Sequence, residues 1–135
     1  MLYFAYGSNL HQQQMRRRCK DSIFIKSFIL KDHILNFRSQ YKVADIEELK
    51  GSFVPGAIYD ISKSDEKKLD IYEDYPFLYK KKYFIIKDET VMTYFMNSKS
   101  SFKYPSTRYL NIIKQGYKDC KLDMNYLFKI LMKRL

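Results

Sequence analysis

The stretch Tyr3-Phe4-Ala5-Tyr6-Gly7-Ser8-Asn9-Leu10 decides how this chain is read. Apolar alternation over Leu2 to Tyr6 predicts a strand, and Gly7 lets the backbone approach a ligand closely. Asn9 is a favoured N-cap for a helix predicted from Leu10 to about Cys19. Free backbone N–H groups of Gly7, Ser8 and Asn9 at that helix start point outward, where a carboxylate or a developing oxyanion can accept them. Joints of this kind also serve as plain turns, so a second segment has to separate the two readings.

That segment is Leu69-Asp70-Ile71-Tyr72-Glu73-Asp74-Tyr75-Pro76. Ser62 with Asp65 three residues on is a capping-box pattern, and Pro76 marks where the helix has already ended, which predicts a helix over Lys63 to Glu73. Leu69 and Glu73 are four apart and share a face, which sets Glu73 beside an apolar anchor and away from Lys63, Lys67 and Lys68. Partial desolvation, the negative end of the helix dipole, and the neighbours Asp70 and Asp74 are all expected to raise its pKa toward the range useful for proton transfer. The plain alternative is a solvated acid at a helix end.

Outward from these two segments, alternation through Ile23 to Phe37 predicts two strands around Lys31-Asp32, and Phe53 to Ile61 a further strand. Tyr79 to Lys87 and Thr90 to Met96 read as a hairpin turning at Asp88-Glu89. Pro105 and Ser106 start a helix with Ser106 as N-cap, in which Tyr109, Ile112, Ile113 and Gly116 share a face and Gly116 permits close packing. A final amphipathic helix uses Met124, Leu127, Phe128, Leu131 and Leu135. Gln40 to Lys50 and Asn97 to Tyr104 read as loops.

The chain of 135 residues has neither repeat nor low-complexity linker, and 46% hydrophobic content fits a globular core, so one domain over 1–135 is expected. No apolar run approaches the ~20 residues of a membrane span, and no basic leader precedes the first strand, from which a cytoplasmic protein is expected. Cys19 and Cys120, and His11 and His33, lack metal-ligand spacing, so no cofactor is expected. The net charge of +10, with Arg16-Arg17-Arg18, Lys80-Lys81-Lys82 and 17% aromatic residues, admits a nucleic-acid module. Against it, the lysines are dispersed, no helix-turn-helix stands out, and the arginine run ends a helix whose dipole favours cations.

Taken in order along the chain, these elements resemble the gamma-glutamylcyclotransferase-like family, which includes the plant avirulence-induced relatives. The resemblance rests on Tyr6-Gly7-Ser8-Asn9-Leu10 and on Phe28 to Phe37. It continues through Gly56-Ala57-Ile58-Tyr59-Asp60-Ile61-Ser62, then Leu69-Asp70 and Glu73, Tyr75-Pro76-Phe77-Leu78-Tyr79, and Pro105 to Gly116. It covers nearly the whole chain and implies an α+β fold, a small mixed β-barrel with flanking helices. It also implies an intramolecular cyclotransferase that releases 5-oxoproline from a gamma-glutamyl amino acid or amine, with Glu73 as acid–base group. The Tyr6–Leu10 loop would stabilise negative charge, and Tyr6, Tyr79 and Tyr109 would line the pocket. Two departures stand out. Asp74 follows Glu73 where relatives usually have Gly, and Asp45 precedes Ile46 where many carry Asn. A catalytically weak relative holding a small anionic metabolite is the alternative of a different class, and a monomer or homodimer fits equally.

Overall fold

The structure is a computed structural model that describes residues 1–132. Its elements are β1 (Leu2–Ala5), a 3-10 turn (Ser8–Leu10), α1 (Gln12–Arg18), β2 (Ile23–Arg38) and β3 (Val43–Asp60). These are followed by α2 (Lys63–Tyr72), β4 (Lys80–Ile86), β5 (Glu89–Phe95), α3 (Thr107–Asp119) and α4 (Met124–Met132). The strands form one mixed sheet in the order β2-β3-β1-β5-β4, antiparallel except where β1 pairs with β5.

The α+β class expected from sequence is present, but the barrel is not closed. The edge strands β2 and β4 share no backbone ladder. The sheet curls until their side chains meet instead. Phe28 stacks on Phe84 with ring centroids 6.5 Å apart, and Lys82 Nζ lies 3.0 Å from both His33 Nε2 and Glu48 Oε1. Strand twist supplies the curl, and a seam of side chains replaces the missing hydrogen bonds.

Two expected breaks are absent. Ile23 to Arg38 is a single strand, and the change of course at Lys31-Asp32 is a bulge within it. There Asp32 takes φ 58°, and its carboxylate accepts the N–H of Gly51 (φ 86°) at 3.0 Å. Lys31 pairs with Phe53 and His33 with Glu48, so Asp32 alone stands opposite Leu49 to Ser52 and bends the hairpin. The segment Gln40 to Lys50 is accordingly no loop, since β3 begins at Val43. The bend carries Val43 to Ile46 to the loop after β1, where a Cβ on Gly7 would lie 3.2 Å from Ala44 Cβ, and Ala44, Asp45 and Ile46 are buried. The β4–β5 turn falls on Lys87 and Asp88, both with positive φ as a two-residue type I′ hairpin requires, one residue earlier than expected.

The core gathers Phe4, Leu10, Met15, Leu35, Phe37, Ile46, Leu69 and Met92, all with at most 1% exposure, and α3 and α4 add Ile113, Tyr117 and Leu127. On α4, Ile130 and Leu131 are buried while Phe128 is 41% exposed; the expected face therefore runs through Ile130 in place of Phe128. Leu135 lies outside the described residues. Among the described residues no helix is long and apolar enough to cross a membrane.

Candidate active site

Helix α2 ends as its sequence dictates. Ser62 Oγ accepts the Asp65 N–H at 3.0 Å and Asp65 Oδ2 accepts the Ser62 N–H at 3.2 Å, which closes the capping box. At the other end Glu73 is the C-cap, its N–H bonded to Leu69 O at 2.8 Å. Asp74 follows in the left-handed region at φ 52°. Tyr75 N–H to Asp70 O at 2.9 Å and Asp74 N–H to Ile71 O at 3.2 Å complete a Schellman motif. This stop fixes Glu73 one helical turn after Leu69, which is fully buried.

The Glu73 side chain enters a narrow crevice of about 20 Å³ whose opposite wall is the loop after β1. In that loop Leu10 N–H bonds Gly7 O and His11 N–H bonds Ser8 O, both at 3.1 Å. The N–H groups of Gly7, Ser8 and Asn9 are thereby the unpaired start of a helical turn. Gly7 sits where a Cβ would lie 3.2 Å from Ala44 Cβ and 3.3 Å from Tyr109 Oη, so the loop, β3 and α3 meet at this residue.

Several expectations for the loop change. Asn9 does not cap a helix. The turn over Ser8–Leu10 is 3-10, and α1 starts later with His11 as its N-cap, Nδ1 accepting the Gln14 N–H at 3.3 Å. Tertiary partners hold Asn9 instead. Its Nδ2 donates to Tyr3 Oη at 2.9 Å, its Oδ1 accepts from Arg18, and its carbonyl accepts from Tyr59 Oη at 3.1 Å. Leu10 does not line the crevice; it is fully buried beneath the loop, against Gly116 of α3. Ser8 lines the crevice and shares a 2.8 Å hydrogen bond with Tyr72 Oη.

The tyrosines differ in what their hydroxyls can still do. Tyr6 donates to Tyr94 O at 2.7 Å, and Tyr79 donates to Ala44 O, so both protons are spent on backbone carbonyls. Tyr109 accepts the Ala44 N–H at 3.0 Å and keeps its own proton for the crevice. Tyr3, which pattern reading treats only as a strand residue, likewise accepts from Asn9 and lines the crevice with a proton to spare. Its position on the face of β1 opposite Phe4 is the one sequence signal for it. Burial, and secondarily charge on neighbouring groups, pushes the hydroxyl pKa of Tyr3, Tyr6 and Tyr79 upward. Burial also raises that of Tyr109, against the Ala44 hydrogen bond, so all four remain phenols that donate or accept without ionising.

Burial likewise pushes the Glu73 carboxyl up to about 8, with the Arg18 guanidinium pulling the other way. The expected help from Asp70 is missing for a visible reason. Asp70 accepts from Tyr94 Oη at 2.6 Å and pairs with Lys81 Nζ at 3.0 Å, so its charge is already balanced. Arg18 reaches the site only indirectly, its guanidinium 3.4 Å above the Tyr72 ring and bonded to Asn9. Of the lysine run, Lys81 pairs with Glu66 and Asp70, and Lys82 with Glu48. Asp45 is turned away from the crevice, its carboxylate fully buried against Arg38 and Lys99.

Beyond Glu73 the crevice opens into a wider cavity of about 330 Å³, in which Tyr41, Val43, Tyr72, Asp74 and Leu78 join Glu73 in the wall. A small inner space with N–H donors and a neutralisable carboxyl, continuous with a roomier outer one, suits acyl chemistry on a substrate with one short polar end and one larger end.

The sequence profile of the family described as gamma-glutamyl cyclotransferase, AIG2-like, matches residues 3–116. Among curated protein sequences none matches the chain significantly. A solved structure named gamma-glutamyl cyclotransferase is 27% identical, covers 96% of this chain and 85% of its own, and superposes with a TM-score of 0.78. An uncharacterised protein from Homo sapiens is similar at 27% identity over the same shares, with a TM-score of 0.76. YkqA from Bacillus subtilis, at 22% identity and a TM-score of 0.77, shares the fold over 99% of this chain and 53% of its own.

Proposed function

The chain belongs to the gamma-glutamyl cyclotransferase, AIG2-like family and is a cyclotransferase-type enzyme, and on that premise we propose that it releases 5-oxoproline from a gamma-glutamyl amine or amino acid. The observation that carries the reading is the pairing of Glu73, its carboxyl pushed up to about 8, with the unpaired N–H groups of Gly7, Ser8 and Asn9 across one crevice.

Such a substrate contains its own nucleophile. Folded into a ring-like conformer, it brings its alpha-nitrogen to the gamma-carbonyl carbon, which supplies the proximity term. Glu73 as carboxylate takes one proton from the alpha-ammonium and frees the nitrogen lone pair. That pair forms the new C–N bond of a five-membered ring, and the carbonyl π electrons move onto oxygen. As the oxyanion collapses, the protonated Glu73 gives its proton to the departing nitrogen and the old C–N bond breaks. The ring nitrogen then sheds its second proton through the freed carboxylate to the amine, which leaves as ammonium. Glu73 ends ionised as it began, and the lactam keeps one N–H.

The loop N–H groups would hold negative charge, either on the oxyanion or on the substrate's alpha-carboxylate, and the free Tyr109 proton would orient the same group. Following 5-oxoproline by mass spectrometry over a panel of gamma-glutamyl compounds tests the assignment. Glu73→Gln and Glu73→Ala should each lower kcat/KM by about 10²–10⁴-fold. Undiminished release in both variants would remove Glu73 from the mechanism.

A further inference from the structure

On the solvent side of the same helix end stand the two most exposed large apolar side chains among the described residues, Ile71 at 82% and Phe77 at 84%. Two successive turns join them: Asp74 N–H bonds Ile71 O at 3.2 Å, and Phe77 N–H bonds Asp74 O at 2.8 Å. Tyr75 and Pro76 between them are exposed as well. A single exposed isoleucine needs no explanation, but an apolar tip of this kind marks a contact surface.

Cations frame the tip. Lys63 and Lys67 stand eight and four residues before Ile71, on its own row of the α2 surface, and Lys68 stands three before it. Lys80 opens β4 three residues after Phe77. The basic end of α1 joins them, because the Arg18 guanidinium lies 3.4 Å over the Tyr72 ring, and Gln14, Arg17 and Arg18 line an open hollow of about 370 Å³ there. The four lysines and Arg17 are exposed and take part in no ion pair among the described residues. Nearby acids do not offset them: Glu66 and Asp70 are paired with Lys81, and Asp74 lines the outer cavity.

Charge and shape together select what covers this surface. A second copy of the chain docking through the same patch would set Lys67 and Lys68 against their own counterparts. A nucleic acid would satisfy the cations, but Arg18 already covers the Tyr72 ring, and Ile71 and Pro76 offer no stacking face. An anionic bilayer answers both halves, since its headgroups meet the cations while the apolar tip enters the boundary between headgroups and acyl chains.

We propose that the Ile71–Phe77 tip, with Lys63, Lys67, Lys68, Lys80 and the hollow of Arg17 and Arg18 around it, docks this protein on anionic membrane surfaces. Tyr72 and Asp74 of the same helix end line the outer cavity, so the docked protein holds that cavity beside the headgroups.

The test is co-sedimentation of the full chain with vesicles of phosphatidylcholine alone and of equimolar phosphatidylcholine and phosphatidylserine. Binding should be about tenfold or more stronger to the anionic vesicles and should weaken as salt is raised. Lys67→Gln and Lys68→Gln should each lower the partition constant about fivefold, whereas Lys118→Gln on α3 and Lys129→Gln on α4 should change it far less. Ile71→Ser combined with Phe77→Ser should lower it about tenfold or more with the charge unchanged. The chain contains no tryptophan, so Phe77→Trp supplies a single indole whose emission should shift to the blue on anionic vesicles. Circular dichroism melting curves of these variants should match the parent, since every altered side chain is exposed. Equal binding to both vesicle types, losses at Lys67 and Lys68 no larger than at Lys118 and Lys129, or an unshifted emission overturns the proposal. A blue shift with single-stranded RNA and none with vesicles would also overturn it and assign the tip to nucleic acid. None of these outcomes touches the cyclotransferase reading, which rests on 5-oxoproline release.

Discussion

At the scale of a single residue, the proposed chemistry turns on Glu73. With burial pushing its carboxyl up to about 8, the carboxylate that would accept a proton is a minor form at neutral pH, and its share grows with alkalinity. The kcat/KM for 5-oxoproline release should therefore rise with pH and level off above about 8, and a flat profile across that range would speak against Glu73 as base. The same shift has a stability consequence of definite sign. Between the ordinary value of 4.5 and about 8, the folded chain holds a proton that the unfolded chain has released. The contribution is fully present below the lower value and is lost as pH rises through the upper one. Glu73→Gln cannot ionise, so in urea unfolding its stability relative to the parent should grow between those two values and stay constant above them. An enzyme made more stable and less active by one substitution is the expected signature of a group held in an unfavourable environment for function.

At the scale of elements, the joint between α3 and the loop after β1 leaves no room for a side chain. A Cβ at Gly116 would lie 2.5 Å from Leu10 Cβ, 2.7 Å from Leu10 C and 2.8 Å from His11 N, and two of those atoms are backbone that cannot turn aside. Gly116→Ala should cost about 1–3 kcal/mol in chemical denaturation and lower turnover as well, because the turn that moves is the one carrying the N–H groups. The end of α2 behaves in the opposite sense. Asp74→Gly relieves a left-handed aspartate and should stabilise the fold by up to about 1 kcal/mol, read from the same denaturation curves. The capping box at Ser62 and the place of Gly116 are legible in the sequence because each depends on residues a few positions away or on a single missing Cβ. The Asn9 cap is misread for the converse reason. Tyr3, Tyr59 and Arg18 take its polar groups, and all three lie on other elements.

Over the whole molecule, one buried ionic cluster holds the hairpin arm across the crevice. Asp45, with no exposure, accepts from Lys99 Nζ at 2.9 Å and from the Met96 N–H at 2.8 Å and forms an ion pair with Arg38, whose Nε lies 3.2 Å away without hydrogen-bonding it, while Arg38 also pairs with Glu47. The preceding residue, Ala44, presents its N–H to Tyr109 and its carbonyl to Tyr79. Asp45→Ala strips the buried Arg38 of one of its two carboxylates and leaves the Met96 N–H without its acceptor, and should cost about 3–5 kcal/mol by urea unfolding. Because the arm also positions Tyr109, KM for the gamma-glutamyl substrate should rise in that variant at temperatures where it is still folded. The break expected at Lys31-Asp32 belongs to this arm. The sequence marks the residue where the chain bends, and the long-range pairing of Lys31 with Phe53 and His33 with Glu48 makes it a bulge within a strand.

The sequence by itself determined what short-range physics governs: the first strand and its loop, the capped helix, and the placement of Glu73 one turn beyond Leu69. Alternation, capping and helical spacing act over a few residues and are written in the chain directly. Tertiary structure alone decided which groups face the crevice as free donors and why the Glu73 carboxyl is raised. Desolvation is the sum of what distant segments bring, here the β1 loop, Ala44 of β3 and Tyr109 of α3, and the charge expected to help, Asp70, is neutralised by Lys81 from another strand. Curling of the sheet, bent at Asp32, brings those segments to one place.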